Sequence, residues 1–362
     1  MSAHAYLPPP DRCERLADIL PQFGGTREFL GQPEAGETRG DYPLPTHTSA
    51  EVRTFLKPFS TVDPEPDFIA CLPGGRVFGP GVVLSPDGRS LARDVSVDFG
   101  KPFEEHWLRS YAKIRPPVRV NGATAVAAVT LGAGYCHWLL EELPRLLILN
   151  REHHDAALIA HTEAPFIREA LDFGKFPGRF LKAGRYSHFE CEQLIIPGLV
   201  GRSGRPTPRM VRLLTEFTAP LRKPGIKLGE RLYITREKAG RRQVTNETEL
   251  WRCLEVRGFT KVRPEELSWA EQLNAFAQAK VIVAPHGAGL ANLVFCQPGV
   301  RVVEFFNRSY VNPCFWQLAG VKGLDYRPVV SISDETITCD LRANRANICA
   351  NITAIMDALI EI

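Results

Sequence analysis

No stretch of this 362-residue sequence approaches the roughly 20 consecutive apolar residues of a membrane-spanning helix. Its first residues carry no apolar signal core, so no membrane span is expected and the chain reads as cytoplasmic. Charge of one sign is not in excess. At a net +3 there is no global basic field to argue for nucleic acid or a membrane. Nine cysteines are scattered without a C-x-x-C pair, and several (Cys136, Cys253, Cys296) sit in apolar runs. That pattern suits reduced, buried thiols in a reducing compartment. Familiar catalytic signatures are also missing. There is no G-x-S-x-G elbow and no G-x-x-x-x-G-K-[ST] loop, and GAGLAN at 287–292 lacks the third glycine of a dinucleotide fingerprint. No Asp-x-Asp occurs; Glu65-Pro66-Asp67 and Glu190-Cys191-Glu192 are poor substitutes. His153-His154 reads as a solvated helix end. The sequons at Asn246, Asn307 and Asn351 carry no message without a signal peptide.

What remains is ordinary globular composition and enough length for two domains with proper cores. Residues 1–66 are rich in Pro, Gly and charge and read as an arm with loops and one short helix near Arg12 to Leu20. From Phe68 to Phe99, short apolar runs alternate with turns, including Ser85-Pro86-Asp87-Gly88, and predict a small antiparallel meander. At Thr124 the grammar changes to alternating strands and helices, which implies a mainly parallel sheet. TAVAAVT reads as a buried strand, broken by Gly132 and Gly134. A helix over 135–149 follows, with Pro144 set to kink it. GRSGRPTP at 201–208 is the polar break that marks the boundary. The second half repeats the alternation. RLYIT, FTKV, VIVA and VRVVEFF read as strands, and Ser268 with Glu271 as a capping box. Asn246 with Glu249 reads as another. The expected layout is therefore 1–66 as arm, 67–205 and 206–345 as two βα domains, and 346–362 as a helix packing back on the first.

Chemistry concentrates in two places. Val281 to Val283 form an apolar strand, Pro285 ends it, and His286-Gly287-Ala288-Gly289 opens a short helix from Leu290. A strand, a glycine turn and a helix start bring backbone N–H groups together on an anion. Positive φ at the glycines would let a ligand approach. The plainer alternative is a tight turn with a capping histidine. Arg236 and Lys238 lie beyond the first strand, Glu265-Glu266 beyond the second, and Glu304 late in the fourth, all at carboxyl ends where open α/β sheets bind ligands. Arg236 and Lys238 suit phosphate, arginine through its planar fork. Glu304 suits ribose hydroxyls, or else a buried pairing with an arginine. In the first half, His137 and Glu141 stand at i and i+4 on one helix face. A neutral histidine beside a carboxylate is poised to take a proton; the alternative is a structural pair. No further histidine at ligand spacing on that helix makes the two a metal site.

HWLLEELPRL, YITREKAGRRQVTNETEL, GFTKVRPEELSWAEQ and VIVAPHGAGLANLVFCQPGVRVVE occur in that order over about residues 123 to 330. Together they resemble glycosyltransferase family 61, which includes bacterial capsular polysaccharide enzymes, plant pentosyltransferases and animal N-acetylglucosaminyltransferases. The resemblance implies a GT-B fold, two Rossmann-like domains facing across a cleft. It also implies inverting transfer from a nucleotide sugar, usually a UDP-sugar, to a glycan or glycoconjugate, with no cofactor and no essential metal. Arg236 matches the arginine of its Tyr-Ile-Ser/Thr-Arg motif. Asn246 and Glu247 match its Asn-Glu pair, with Glu266 a further candidate support. His286, Gly287, Ala288, Gly289, Leu290 and Asn292 match its His-Gly-Ala-Gly-Leu-x-Asn motif. His137 and Glu141 match the first-domain histidine and acid, which is an aspartate in many relatives. The acid is implied as the base, with His137 in the role as the alternative. A bacterial, cytoplasmic enzyme is the expected setting, and a homodimer stays open. Another GT-B-like transferase (pyruvyl or Kdo) and a non-catalytic nucleotide-sugar binder are the rival readings.

Overall fold

The structure is a computed structural model that describes residues 6–30, 40–62, 67–96, 98, 101–153, 155–176, 179–201, 205–222, 228–333 and 335–360. Glu65, Pro66, His154 and residues 202–204 of the polar break lie outside the described residues. The chain forms two compact units. One comprises Met1–Ala35 and Glu65–Arg202, the other Gly36–Pro64 and Ser203–Ile362.

The first unit is built on a mixed ten-stranded sheet. Its parallel part runs His188–Pro197, Val118–Val126, Ala157–Ala160, Phe180–Lys182. Arg76–Phe78, Val82–Leu84 and Ser90–Ala92 extend it as consecutive antiparallel neighbours beyond His188–Pro197. Phe68–Pro73 pairs separately with His188–Pro197 and with Thr26–Phe29. The described residues 6–30 are thus not a detached arm. Arg12–Glu14 joins Ser90–Ala92, and the short helix Leu16–Ile19 buries Leu16 and Ile19 in the unit's core. Leu16, Ile19 and Leu20 have apolar surface to lose, and the sheet face is where they lose it.

The second unit is a five-stranded, wholly parallel sheet in the order Thr260–Val262, Arg231–Ile234, Val281–Pro285, Arg301–Phe306, Asp325–Val330. By chain order this is 2-1-3-4-5, with its switch point between the first and third strands. The fifth strand carries Pro328, tolerated because the strand is an edge. The helix Trp269–Gln278 begins with a complete Ser268–Glu271 capping box.

Two expectations about the chain's ends need correction. Residues 40–62, expected in the arm, belong to the second unit. Tyr42 packs edge-on against Trp316, whose indole N–H donates to the Pro43 carbonyl at 3.0 Å. The Tyr42 hydroxyl donates to Pro206 O at 3.0 Å. The C-terminal helix Ile352–Asp357, expected on the first unit, packs within the second. Ile355, Ala358 and Leu359 share one apolar cluster with Tyr233, Val283, Phe305 and Val329 of the second unit's own sheet. One stripe of that helix is apolar, and its nearest uncovered sheet face is the one it follows in sequence.

Candidate active site

In the second unit the loop after Arg231–Ile234 folds back on the turn after Val281–Pro285. Gly287 shows why it is glycine. A Cβ there would lie 2.2 Å from Arg236 Nη1, so the guanidinium rests directly on its backbone. Positive φ is not involved: Gly287 has φ 177°, an extended value, and Gly289 is likewise not left-handed. The positive φ in this region belongs to Arg242, at 54°. That bend lets Arg242 Nε donate to the His286 carbonyl at 3.2 Å and Nη1 to Asn344 O at 2.7 Å. Arg236 Nη2 donates to Arg241 O at 3.0 Å, while its Nε is buried without a hydrogen-bond partner among the described residues. Burial, then the nearby charges of Arg242 and Arg241, pull the Arg236 guanidinium down to about 10. Arg242 is lowered for the same leading reason.

His286 is walled in by aromatic rings, with Phe306 stacked at 5.2 Å, Phe315 at 5.4 Å and Tyr310 at 5.5 Å. Its Nδ1 lies 2.6 Å from Glu304 Oε1, and the Tyr326 hydroxyl donates to Glu304 Oε2 at 2.6 Å. Glu304 is fully buried, which keeps it from a ribose, and no arginine pairs with it among the described residues. Its task is to orient His286. Adjacent parallel strands place it there, since Ala284 and Glu304 are register partners. Burial and the Glu304 charge together push the Tyr326 phenol far up, so it stays a donor.

The other motif residues sort by what they touch. Leu290 is core. Asn292 is buried and donates its amide to Gln272 Oε1 at 3.0 Å and to the Gly289 carbonyl at 3.1 Å, which fixes the Ala288–Phe295 turn from within. Asn246 does not cap its helix through its side chain, so the expected box with Glu249 is absent. Instead its amide exchanges two hydrogen bonds with the Ala350 backbone, at 2.9 and 2.8 Å. Glu247 accepts from the Tyr233 hydroxyl at 2.9 Å and from the Thr235 hydroxyl, tying the first strand's end to the next helix. Lys238 and Glu266 are exposed and pair with each other.

In the first unit, His137 and Glu141 meet as expected, with Nδ1 and Oε1 at 2.8 Å. The helix that carries them is not regular. Tyr135–His137 and Leu143–Glu152 are α-helical, but Trp138–Glu142 is a π-helical turn. Pro144 supplies the reason. It has no N–H to give, and its ring would strike the carbonyl four residues back, at Leu140; widening the turn relieves both. The wider turn buries Glu142 completely. Glu142 Oε1 accepts from the His161 N–H at 2.7 Å, and Oε2 lies 2.7 Å from His161 Nδ1 and 3.3 Å from the Val129 N. A Cβ on Gly132 would fall 2.2 Å from that same Oε2. Next to it Leu131, not a glycine, takes the left-handed φ of 67°. Arg145, fully buried, donates to the carbonyls of Ala127, Ala128 and Pro197 at 3.1–3.2 Å. Burial draws it down to about 10 against the pull of Glu142 and Glu141. The sequence reading assigned nothing to Glu142, His161 and Arg145. The signal that could have found them was His161, a lone histidine directly after a buried strand.

Residues 135–303 match the family model described as Glycosyltransferase 61. The match begins at the His137 helix and ends one residue before Glu304. A 63-residue stretch is 35% identical to a beta-1,2-xylosyltransferase of Oryza sativa subsp. japonica, covering 17% of this chain and 12% of that protein. A 96-residue stretch is 30% identical to the beta-1,2-xylosyltransferase of Arabidopsis thaliana, over 26% and 15% of the two chains. Over 118 residues the chain is 30% identical to the EGF domain-specific O-linked N-acetylglucosamine transferase of Drosophila melanogaster, over 32% and 22%. The chain thus spans less than a quarter of each of these curated relatives. All three are eukaryotic proteins; the bacterial capsular branch is not among them.

Proposed function

We propose that this chain is an inverting glycosyltransferase that moves a sugar from a nucleotide-activated donor, UDP-linked in the first instance, to a hydroxyl of a glycan or glycoconjugate. One observation carries the reading. At the switch point of a parallel sheet, a half-buried guanidinium lies on a glycine backbone beside two further arginines, and no carboxylate bonds it among the described residues. A diphosphate is the partner that relieves such a group: it supplies negative charge to the fork and accepts from the N–H groups at the start of Ala288–Phe295. The names of the relatives support sugar transfer.

In this reading the second unit holds the donor and the first supplies the base, the division of labour of a GT-B enzyme. The His137–Glu141 pair takes the acceptor proton. His137 has Nδ1 against Glu141, and its side chain is 19% exposed against 9% for Glu141. That geometry favours His137 as the base through Nε2, with Glu141 holding the ring and stabilising the imidazolium. Direct uptake by Glu141, which the family resemblance favours, is the second version. Arg236, its neighbouring cations and the turn N–H groups stabilise the leaving diphosphate in place of a metal. Turnover therefore persists in EDTA. All nine cysteines are free thiols, which suits the cytoplasmic setting included in this reading.

The test is a donor panel that includes UDP-xylose and UDP-N-acetylglucosamine, read by mass spectrometry on mixed glycan acceptors, with UDP binding followed by calorimetry. Sugar transfer with UDP release is the expected result. Pyruvyl or Kdo transfer would replace the donor class. UDP binding with no transfer to any acceptor would reduce the chain to a binding protein.

A further inference from the structure

The first unit carries a surface patch that neither proposed site uses. The edge-like antiparallel bridge between Leu7 and Ile114, with N–O distances of 2.9 and 2.8 Å, sets Tyr6 opposite Arg115. Arg115 lies 5.5 Å from the Tyr186 ring centroid and Arg185 lies 5.3 Å from it. Arg185 Nε also donates to the Tyr111 hydroxyl at 3.1 Å. The His188 ring bonds the Arg115 carbonyl at 2.6 Å, and Val118, opposite Phe189, starts the adjacent strand. Lys113, Arg115 and Arg185 are all exposed, and no carboxylate pairs with any of them among the described residues. Tyr6 is 59% exposed, Val118 64% and Tyr186 46%. They are three of the five exposed large hydrophobic side chains among this unit's described residues, the others being Phe29 and Leu131.

We propose that this patch seats the protein on the surface of an anionic lipid bilayer. Three cations without carboxylate partners match anionic headgroups, whose field attracts basic side chains within a Debye length. Two tyrosines are amphipathic side chains of the kind that settle at the headgroup level, and Val118 adds apolar area. A soluble polyanion would satisfy the cations and leave Tyr6, Val118 and Tyr186 with nothing to gain. Attachment is peripheral: among the described residues no helix is long and apolar enough to cross a membrane. A near-neutral net charge hides this feature, because the cations are local to one patch.

The experiment is co-sedimentation of the full chain with vesicles of phosphatidylcholine alone and of phosphatidylcholine and phosphatidylglycerol at two to one. Binding to the anionic vesicles and not to the neutral ones is expected. Arg115→Glu with Arg185→Glu reduces partition on the order of a hundredfold, and Val118→Ser with Tyr186→Ser reduces it severalfold. Because Arg185 also bonds Tyr111, Lys113→Glu with Arg115→Glu is the second charge variant. Each variant must keep its melting temperature and its UDP-induced shift, so the result stands apart from the nucleotide assignment. No binding to the anionic vesicles overturns the proposal. So does a Val118→Ser, Tyr186→Ser variant that binds as wild type while dextran sulfate competes, an outcome that assigns the patch to soluble polyanions.

Discussion

Each unit sets a histidine near glycines beyond a buried parallel strand and pairs it with a carboxylate, yet the pairs are built differently. In the second unit the carboxylate comes from the neighbouring strand. Glu304 is fully buried, holds Tyr326 on its other oxygen, and leaves His286 no freedom inside its aromatic wall. In the first unit the carboxylate comes from one turn on in the same helix; Glu141 is buried and His137 half-buried. A rigid, dry pair is suited to shaping a turn that receives an anion, whose position must not shift. A pair whose histidine keeps some exposure is suited to exchanging a proton with something that arrives. The first unit also has its own fully buried pair, Glu142 with His161, directly beside the partly buried one. Adjacent glutamates on one π-helical turn thus hold different histidines, Glu141 the half-buried His137 and Glu142 the buried His161.

Substituting His137 or Glu141, the base pair of the proposed reaction, gives the largest expected effect. Glu141→Gln and His137→Ala each lower single-turnover transfer by ~10²–10⁴-fold while UDP affinity stays within about twofold. If both retain near-normal rates at saturating substrate, the contrast between the units collapses and the helix is only structural. Glu142→Gln should act on the fold instead. It disturbs a buried hydrogen-bonded pair at a typical cost of about 1–3 kcal/mol, read as a lowered denaturant midpoint. A variant of unchanged stability would show that Glu142 is not the anchor described.

In the second unit, Arg236→Ala weakens UDP by about 10- to 100-fold, the worth of a charge-assisted contact. Gly287→Ala sharpens the point. Its new Cβ displaces the guanidinium without touching its charge, so affinity falls on the order of tenfold if placement matters. Wild-type affinity in the Gly287→Ala protein, measured by calorimetry, would move the phosphate elsewhere. Smaller again is a stability effect of opposite sign. Folding lowers the affinity of Arg236 for its proton, so the charged form is less at ease in the native state at every pH below about 10. Arg236→Gln should raise the ligand-free melting temperature by about 2–4 °C. Lys238→Ala should change UDP affinity least, by less than about twofold, because its exposed pairing with Glu266 is screened.

Much of this architecture was legible from periodicity. The strands around Arg231–Ile234, Val281–Pro285 and Arg301–Phe306 are short apolar runs, and a parallel sheet buried on both faces requires such runs. His137 and Glu141 could be paired on paper because their contact is local, one turn apart. His286 and Arg236 could be placed at strand ends, since strand ends are one-dimensional facts. Contacts between distant residues could not be read this way. Nothing local brings Glu304 under His286, Tyr326 under Glu304, or His161 onto Glu142; register between strands and the packing of a helix on a sheet decide each. The glycines make the same point. Their presence in the turn was visible, but positive φ was the wrong reason. What Gly287 provides is room for a guanidinium that arrives from a different strand, and only the tertiary structure says which side chain fills it. Likewise residues 40–62 and the last helix show no preference in sequence for either unit. The apolar surface left uncovered on the second sheet and its flanking helix claims both, because burial against a surface already formed depends on where that surface lies in space.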